Sequence, residues 1–310
     1  MRSLFFLALA FIIHLSVAQT AEQHYSSASD AFDQQKYKQA LKSIDKALRL
    51  DSANASYYQF KSDLLKEQKQ YMKAFETVNQ GIRMCPKTSM LYLQRGNLLL
   101  GWQEYDQAIF DFTAAMAYAG NDTMKNSAIT NRAAAKLKKR DFTGAYNDLM
   151  IAYQFDSTDL ATLVNLGAIC DEVGKGDETL KYLLKAVEVD STFYPAYGNI
   201  GFKYQEMGQH EKAIAYFNKV LAMNPDEPLG YSNRSYNKLK TGDLKGAMSD
   251  IEKSIRLYPA NSYAYRIRAL IYLEEGRTDK ACEDISTALS KGFTESYGDE
   301  VIQLQKKHCK

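Results

Sequence analysis

The chain lacks an excess of charge of either sign. Its 310 residues carry 39 Lys and Arg against 37 Asp and Glu, a formal net charge of +2. The two signs are interspersed and no basic stripe stands out, so binding to nucleic acid is not expected. Long apolar runs are also missing. The longest is Leu4 to Ile13, ten residues, against the roughly 20 that a membrane-spanning helix needs. There is no Pro-, Gly- or Ser-rich linker and no low-complexity tract. Cysteine is limited to Cys85, Cys170, Cys282 and Cys309, and none has a histidine at zinc-site spacing. His14 lies in the apolar N-terminal run, while His24, His210 and His308 are too far apart to share a site. No Ser/His/Asp set is present. Gly174-Lys175-Gly176 lacks the spacing of a phosphate-binding loop and reads as a turn. Neither catalysis, a cofactor nor a metal is expected.

The N-terminus has three parts: the basic start Met1-Arg2, the apolar run, and the small-x-small stretch Ser16-Val17-Ala18. This is the pattern of a secretory signal peptide over residues 1–18, cleaved to leave Gln19 first. No cysteine follows the cleavage site, so a bacterial lipoprotein anchor is not expected. The mature chain is expected to be exported to a periplasm, cell envelope or medium, without a membrane span. Loss of Arg2 leaves one basic residue fewer and a nearly neutral chain.

What the chain does have is a period. Alanine recurs at Ala40, Ala74, Ala108, Ala145, Ala213, Ala247 and Ala281, with Thr179 filling the one gap. Every step is 34 residues except one of 37. With this alanine at repeat position 20, position 24 is Ile44, Val78, Phe112, Leu149, Leu183, Phe217, Ile251 and Ile285. Positions 21 and 28 are apolar as well, which makes an i, i+4, i+8 stripe on a helix, repeated eight times. Position 8 is always small, including Gly96, Gly167 and Gly201, so that two helices can approach closely. Position 4 is Tyr at 58, 92, 197, 231 and 265. Pro86, Pro225 and Pro259 stand at position 32, where proline ends the second helix. The three extra residues fall within 118–126 and read as a longer loop between the third and fourth repeats.

These coupled positions resemble the tetratricopeptide repeat (TPR) family over about residues 22–292. The unit Tyr197, Ile200, Gly201, Tyr204, Gly208, Ala213, Phe217, Pro225 carries the motif almost completely, with Tyr replacing the leading Trp. The resemblance implies an all-α, right-handed α-solenoid of eight helical hairpins over 19–293 whose first helices line a concave face. Residues 294–310 do not form a ninth unit and are expected to make a C-terminal capping helix opened by Asp299 and Glu300 and closed by Lys306, Lys307 and His308.

The resemblance also implies a scaffold or adaptor that binds protein or extended peptide on the concave face. The alternative is a structural subunit that holds an envelope assembly together through helix edges and solenoid ends. The peptide-binding candidates are Asn131, Asn165, Asn199 and Asn233 at position 6, with Asn97, Phe202 and Tyr236 at position 9. Asparagine costs roughly half a kcal/mol relative to Ala in a helix, and its neutral amide both donates and accepts, as an extended backbone requires. The family's carboxylate clamp for chaperone tails is not expected. Asn97 and Asn131 match it, but Leu93 and Ala161 stand where it needs other residues.

Arginine at position 7 and aspartate at position 23 occur in the same four units: Arg95 with Asp111, Arg132 with Asp148, Arg234 with Asp250 and Arg268 with Asp284. Their co-occurrence points to structural ion pairs across each hairpin. Cys85 and Cys170 lie three repeats apart and are not expected to pair, because stacked repeats touch only neighbours. Cys282 faces the next element, and an antiparallel tail helix returns Cys309 to its level, so a disulfide is expected there.

Overall fold

The computed structural model describes residues 20–309; the expected signal peptide lies outside them. The chain divides into two compact units, the boundary in sequence falling between Phe155 and Asp156. Each holds four helical hairpins, and no strand occurs among the described residues.

In the first unit the hairpins are α1 (20–33) with α2 (Tyr37–Leu50), α3 (Ala55–Glu67) with α4 (Tyr71–Met84), α5 (Ser89–Gly101) with α6 (Tyr105–Ala117), and α7 (Asp122–Lys139) with α8 (Phe142–Phe155). In the second they are α9 (Leu160–Ile169) with α10 (Thr179–Val189), α11 (Tyr194–Glu206) with α12 (His210–Met223), α13 (Pro228–Lys240) with α14 (Leu244–Leu257), and α15 (Ser262–Glu274) with α16 (Thr278–Ser290). Within a unit, helices adjacent in sequence pack together, and successive first helices such as α11 and α13 also touch.

The interior follows the period. All eight position-24 side chains are buried, as are all eight residues at position 20. Position 27 forms another small, buried row: Ala47, Gly81, Ala115, Ala152, Ala186, Val220, Ser254 and Ala288. At position 8 a Cβ on Gly96 would stand 2.6 Å from the Phe112 ring, and one on Gly167 would stand 2.5 Å from Leu183. These contacts seat each first helix on the large position-24 side chain of the second.

Two places depart from the sequence reading. The three extra residues near 118–126 do not lengthen a loop. They add about one turn to the start of α7, which has 18 residues where α5 has 13. The Asn121 side chain caps this longer helix by accepting the Met124 N–H at 2.8 Å. The tail holds a short helix not expected from sequence, α17 (Phe293–Tyr297), before α18 (Glu300–His308). Phe293 and Val301 are buried against Ala281, Ile285 and Ala288 of α16, so this tail covers the end of the last hairpin.

The fifth hairpin is irregular. α10 starts at Thr179, repeat position 20, whereas α12 and α14 start at position 17. Short 3₁₀ turns at Asp171–Val173 and Gly176–Glu178 fill the interval. This is the hairpin in which Thr179 replaces the recurring alanine, and Thr179 Oγ1 donates to Asp171 at 3.4 Å. A Cβ at Gly176 would lie 2.1 Å from the Asp171 carboxylate, so glycine there makes room for that acid.

Candidate functional site

The repeats are tied in register by two polar devices. At position 4, Tyr58, Tyr92, Tyr197, Tyr231 and Tyr265 each donate a hydroxyl hydrogen bond to the carbonyl six residues earlier, at 3.0–3.2 Å. Three of these carbonyls belong to Pro86, Pro225 and Pro259. The aromatic row thus fixes the turn that leads into five of the eight hairpins.

The second device is arginine at position 7. Arg95 binds Asp111 through Nε and Nη2, both at 2.7 Å. Arg132 with Asp148, Arg234 with Asp250 and Arg268 with Asp284 repeat this fork. The aspartates are 1–7% exposed in their side chains. The charge-assisted bonds to Asp111 and Asp284 hold Arg95 and Arg268 protonated to a higher pH than usual, against the opposing effect of burial. Lys136 and Lys238 add a second cation to Asp148 and Asp250.

Sequence reading missed the third arm of this fork. Nη1 of Arg95, Arg132 and Arg234 reaches back to Asn79, Thr113 and Asn218. All three stand at position 25 of the preceding repeat. Lys61, at position 7 of its own repeat, meets Asp45 at position 25 in the same way, at 2.8 Å. The residue therefore links hairpin to hairpin as well as helix to helix. The signal lies in sequence as polar residues at position 25, but it is weak because a hydrophilic helix face is ordinary there.

On this frame, α11 and α13 border a cleft of about 340 Å³ floored by Phe217 and Val220 of α12. Tyr194, Pro195, Phe202 and Leu229 give it apolar walls, and Asn199 and Asn233 line it. Phe202, 46% exposed, presents its ring at this cleft. Glycine at 230 lets α13 sit close to α12, where a Cβ would come within 2.9 Å of Leu221; at Gly198, which also lines the cleft, a Cβ would make only an ordinary contact. On the other side of Phe202, toward α9, lies a second cleft of about 300 Å³. Asn199 and Phe202 border both.

The candidate asparagines do not converge as a set. Asn199 and Asn233 share the first cleft, while Asn165 of α9 lies outside both. Asn97 and Asn131 belong to the other unit, where Asn97 is exposed and Asn131 half-buried. Tyr236 lies outside the clefts as well. Its ring sits beside His210 and takes the Arg266 guanidinium at 5.2 Å and the Lys240 ammonium at 5.4 Å. Next to it the buried Asn237 amide joins His210 Nδ1 at 2.9 Å to Gln205 at 2.7 Å. Arg266, 7% exposed, donates to Glu300 of α18. That packing ends the apolar face.

Cys282 and Cys309 are joined in a disulfide that ties α18 to α16, with a Cα–Cα distance of 5.6 Å. Cys85 and Cys170 are free. Burial pushes the Cys170 thiol up to about 11.

The model of the tetratricopeptide repeat matches residues 194–227, the hairpin of α11 and α12. The two hairpins after it, and the second and third of the chain, share its position-4 hydroxyl bond. One hairpin thus matches the repeat's sequence model, and the fold is that of tetratricopeptide-repeat proteins. Solved TPR structures share the fold. A TPR protein from Parabacteroides merdae is 18% identical over 93% of this chain and 99% of that chain, with a TM-score of 0.59. A chain of the APC/C hetero-tetramer Cut9–Hcn1 is 16% identical over 88% of this chain and 53% of that chain, with a TM-score of 0.66. PilW, a type IV pilus biogenesis factor, is 19% identical over 67% of this chain and 94% of that chain, with a TM-score of 0.58. A search of curated proteins gives no significant match.

Proposed function

We propose that this TPR protein is exported and binds an extended protein segment along α11 and α13, with Phe202 as the anchoring contact. The observation that carries this reading is the conjunction at one cleft of a half-exposed Phe202 and two amides, Asn199 and Asn233, that bond to no described residue. An amide pairs with either group of a peptide bond and demands no particular side chain. An apolar cleft beside it supplies the affinity. The test is a set of ten-residue peptides selected by display on the full chain and then measured one by one. Changing Asn199, Phe202 and Asn233 together to Ala is expected to weaken them at least tenfold, with helicity by circular dichroism unchanged. Undiminished affinity in the folded variant removes the cleft from consideration.

Export is part of the same proposal, resting on the leader-like residues 1–18. Protein isolated from its native cell is expected to have an intact mass starting at Gln19. A mass that retains Met1 to Ala18 defeats it.

The structural-subunit reading rests on a different observation. In the first unit Phe110 is 69% exposed at position 22, where the other repeats carry Lys, Glu, Asn, Ala or Ser. Met72 is 62% exposed. Binding that fails with Phe110→Ser and survives the triple change above would favour this second reading.

A further inference from the structure

We infer that the segment bound along α11 carries an apolar residue and, three positions away, a lysine or arginine; this rests on the groove reading above and adds the charge of the partner. The cleft on the α9 side of Phe202 is lined by three carboxylates, Asp171, Glu172 and Glu206, and one ammonium, Lys203. Lys203 Nζ lies 2.5 and 2.7 Å from the two Asp171 oxygens and 3.6 Å from Glu206. It is 13% exposed and turned into these acids. One cation thus meets two of the three anions, and the lining carries a net formal charge of −2. Glu172 is exposed and bonds to no described residue.

The fold places these acids there by a local irregularity. The 3₁₀ turn at Asp171–Val173 replaces the end of a regular first helix, and Gly176 leaves space for the Asp171 carboxylate. The neighbouring apolar cleft contains no base. Its one charged side chain is Glu227, which accepts the Leu229 N–H at 3.2 Å. An acidic segment is repelled at both clefts. A basic side chain finds carboxylates on one side and the exposed Phe202 ring on the other, where a guanidinium or ammonium is held by the ring face as well.

The spacing follows from the helices. Adjacent helices sit about 8–10 Å apart, and an extended chain advances about 3.3 Å per residue. Side chains entering the two clefts are therefore about three residues apart. The intervening backbone passes Asn199, which borders both.

The test uses the full chain and a displayed library of random ten-residue peptides. Selected peptides are expected to be enriched in an apolar residue and Lys or Arg at positions n and n+3, in one chain direction. In fluorescence anisotropy, replacing that base by Glu is expected to weaken binding at least tenfold, and raising salt from 50 to 500 mM to weaken the parent peptide severalfold. The surface variant Glu172→Lys with Glu206→Lys is expected to lose the parent and gain the Glu peptide. Selected peptides that need Phe202 but bind equally with Lys, Glu or Gln at that position overturn the charge inference and leave the groove intact. A library that yields no binder sensitive to Phe202→Ala overturns both.

Discussion

At the residue scale, the same few positions carry both core and register. Arg95 shows what the register residues do. Its fork satisfies a carboxylate that is 1% exposed and its third nitrogen reaches the preceding hairpin. Breaking a buried pair on one side leaves an uncompensated charge and costs about 3–5 kcal/mol, well above the roughly 0–1 kcal/mol of an exposed pair. Arg95→Leu and Asp111→Leu are each expected to destabilise strongly, and the double variant by clearly less than their sum. Urea unfolding of the four proteins reads a coupling on the order of 1–3 kcal/mol; a coupling of zero shows that the two side chains act independently. The pairing was legible in sequence because positions 7 and 23 co-occur in four units. The inter-repeat arm was not, because Asn79, Thr113 and Asn218 have only polarity in common. The position-4 tyrosines were visible as aromatic residues, whereas their hydroxyl bonds depend on where a turn carbonyl points.

At the element scale, every hairpin turns through one left-handed residue at position 15. In the second unit it is always glycine: Gly174, Gly208, Gly242 and Gly276. In the first it is Gln35, Lys69, Gln103 and Arg140, each with φ between 57° and 66°. A side chain there costs about 1–2 kcal/mol in backbone strain. Gln103→Gly is therefore expected to stabilise the protein by about 1 kcal/mol, because the strain relieved exceeds the added freedom of the unfolded chain. A midpoint of urea unfolding that falls would show that the Gln103 side chain contributes something the turn needs. The helix pattern predicted the eight hairpins because their apolar period is local. It misread the insertion near residue 120, where the Asn121 cap allowed α7 to start one turn earlier. It also missed α17, which has only five residues and depends on Phe293 burying itself against α16.

At the scale of the whole molecule, each unit is an array whose ends need covering. In the second unit the tail covers one end, and the Cys282–Cys309 bond closes a span of 27 residues. Such a loop contributes about 3–4 kcal/mol in the chain-entropy model. Unfolded, unreduced protein is expected to titrate two thiols, and reduction is expected to lower stability by that amount; four thiols would show that the bond does not form. In the folded state Cys170 is expected to resist alkylation at pH 8, because burial keeps its thiol protonated to about 11. The sequence by itself determined the repeat, the number of hairpins, the buried rows and the ion-pair register, because each is written at a fixed interval and repeated eight times. Phe202, Asn199 and Asn233 were legible as candidates from the same interval. Only the tertiary structure decided that Asn199 and Asn233 share a cleft, that Tyr236 is taken up by Arg266, and that Asp171 and Glu172 stand beside Phe202. Those outcomes depend on which neighbour reaches a side chain first, and on a hairpin where Thr179 and Gly176 break the period, so no periodic signal could carry them.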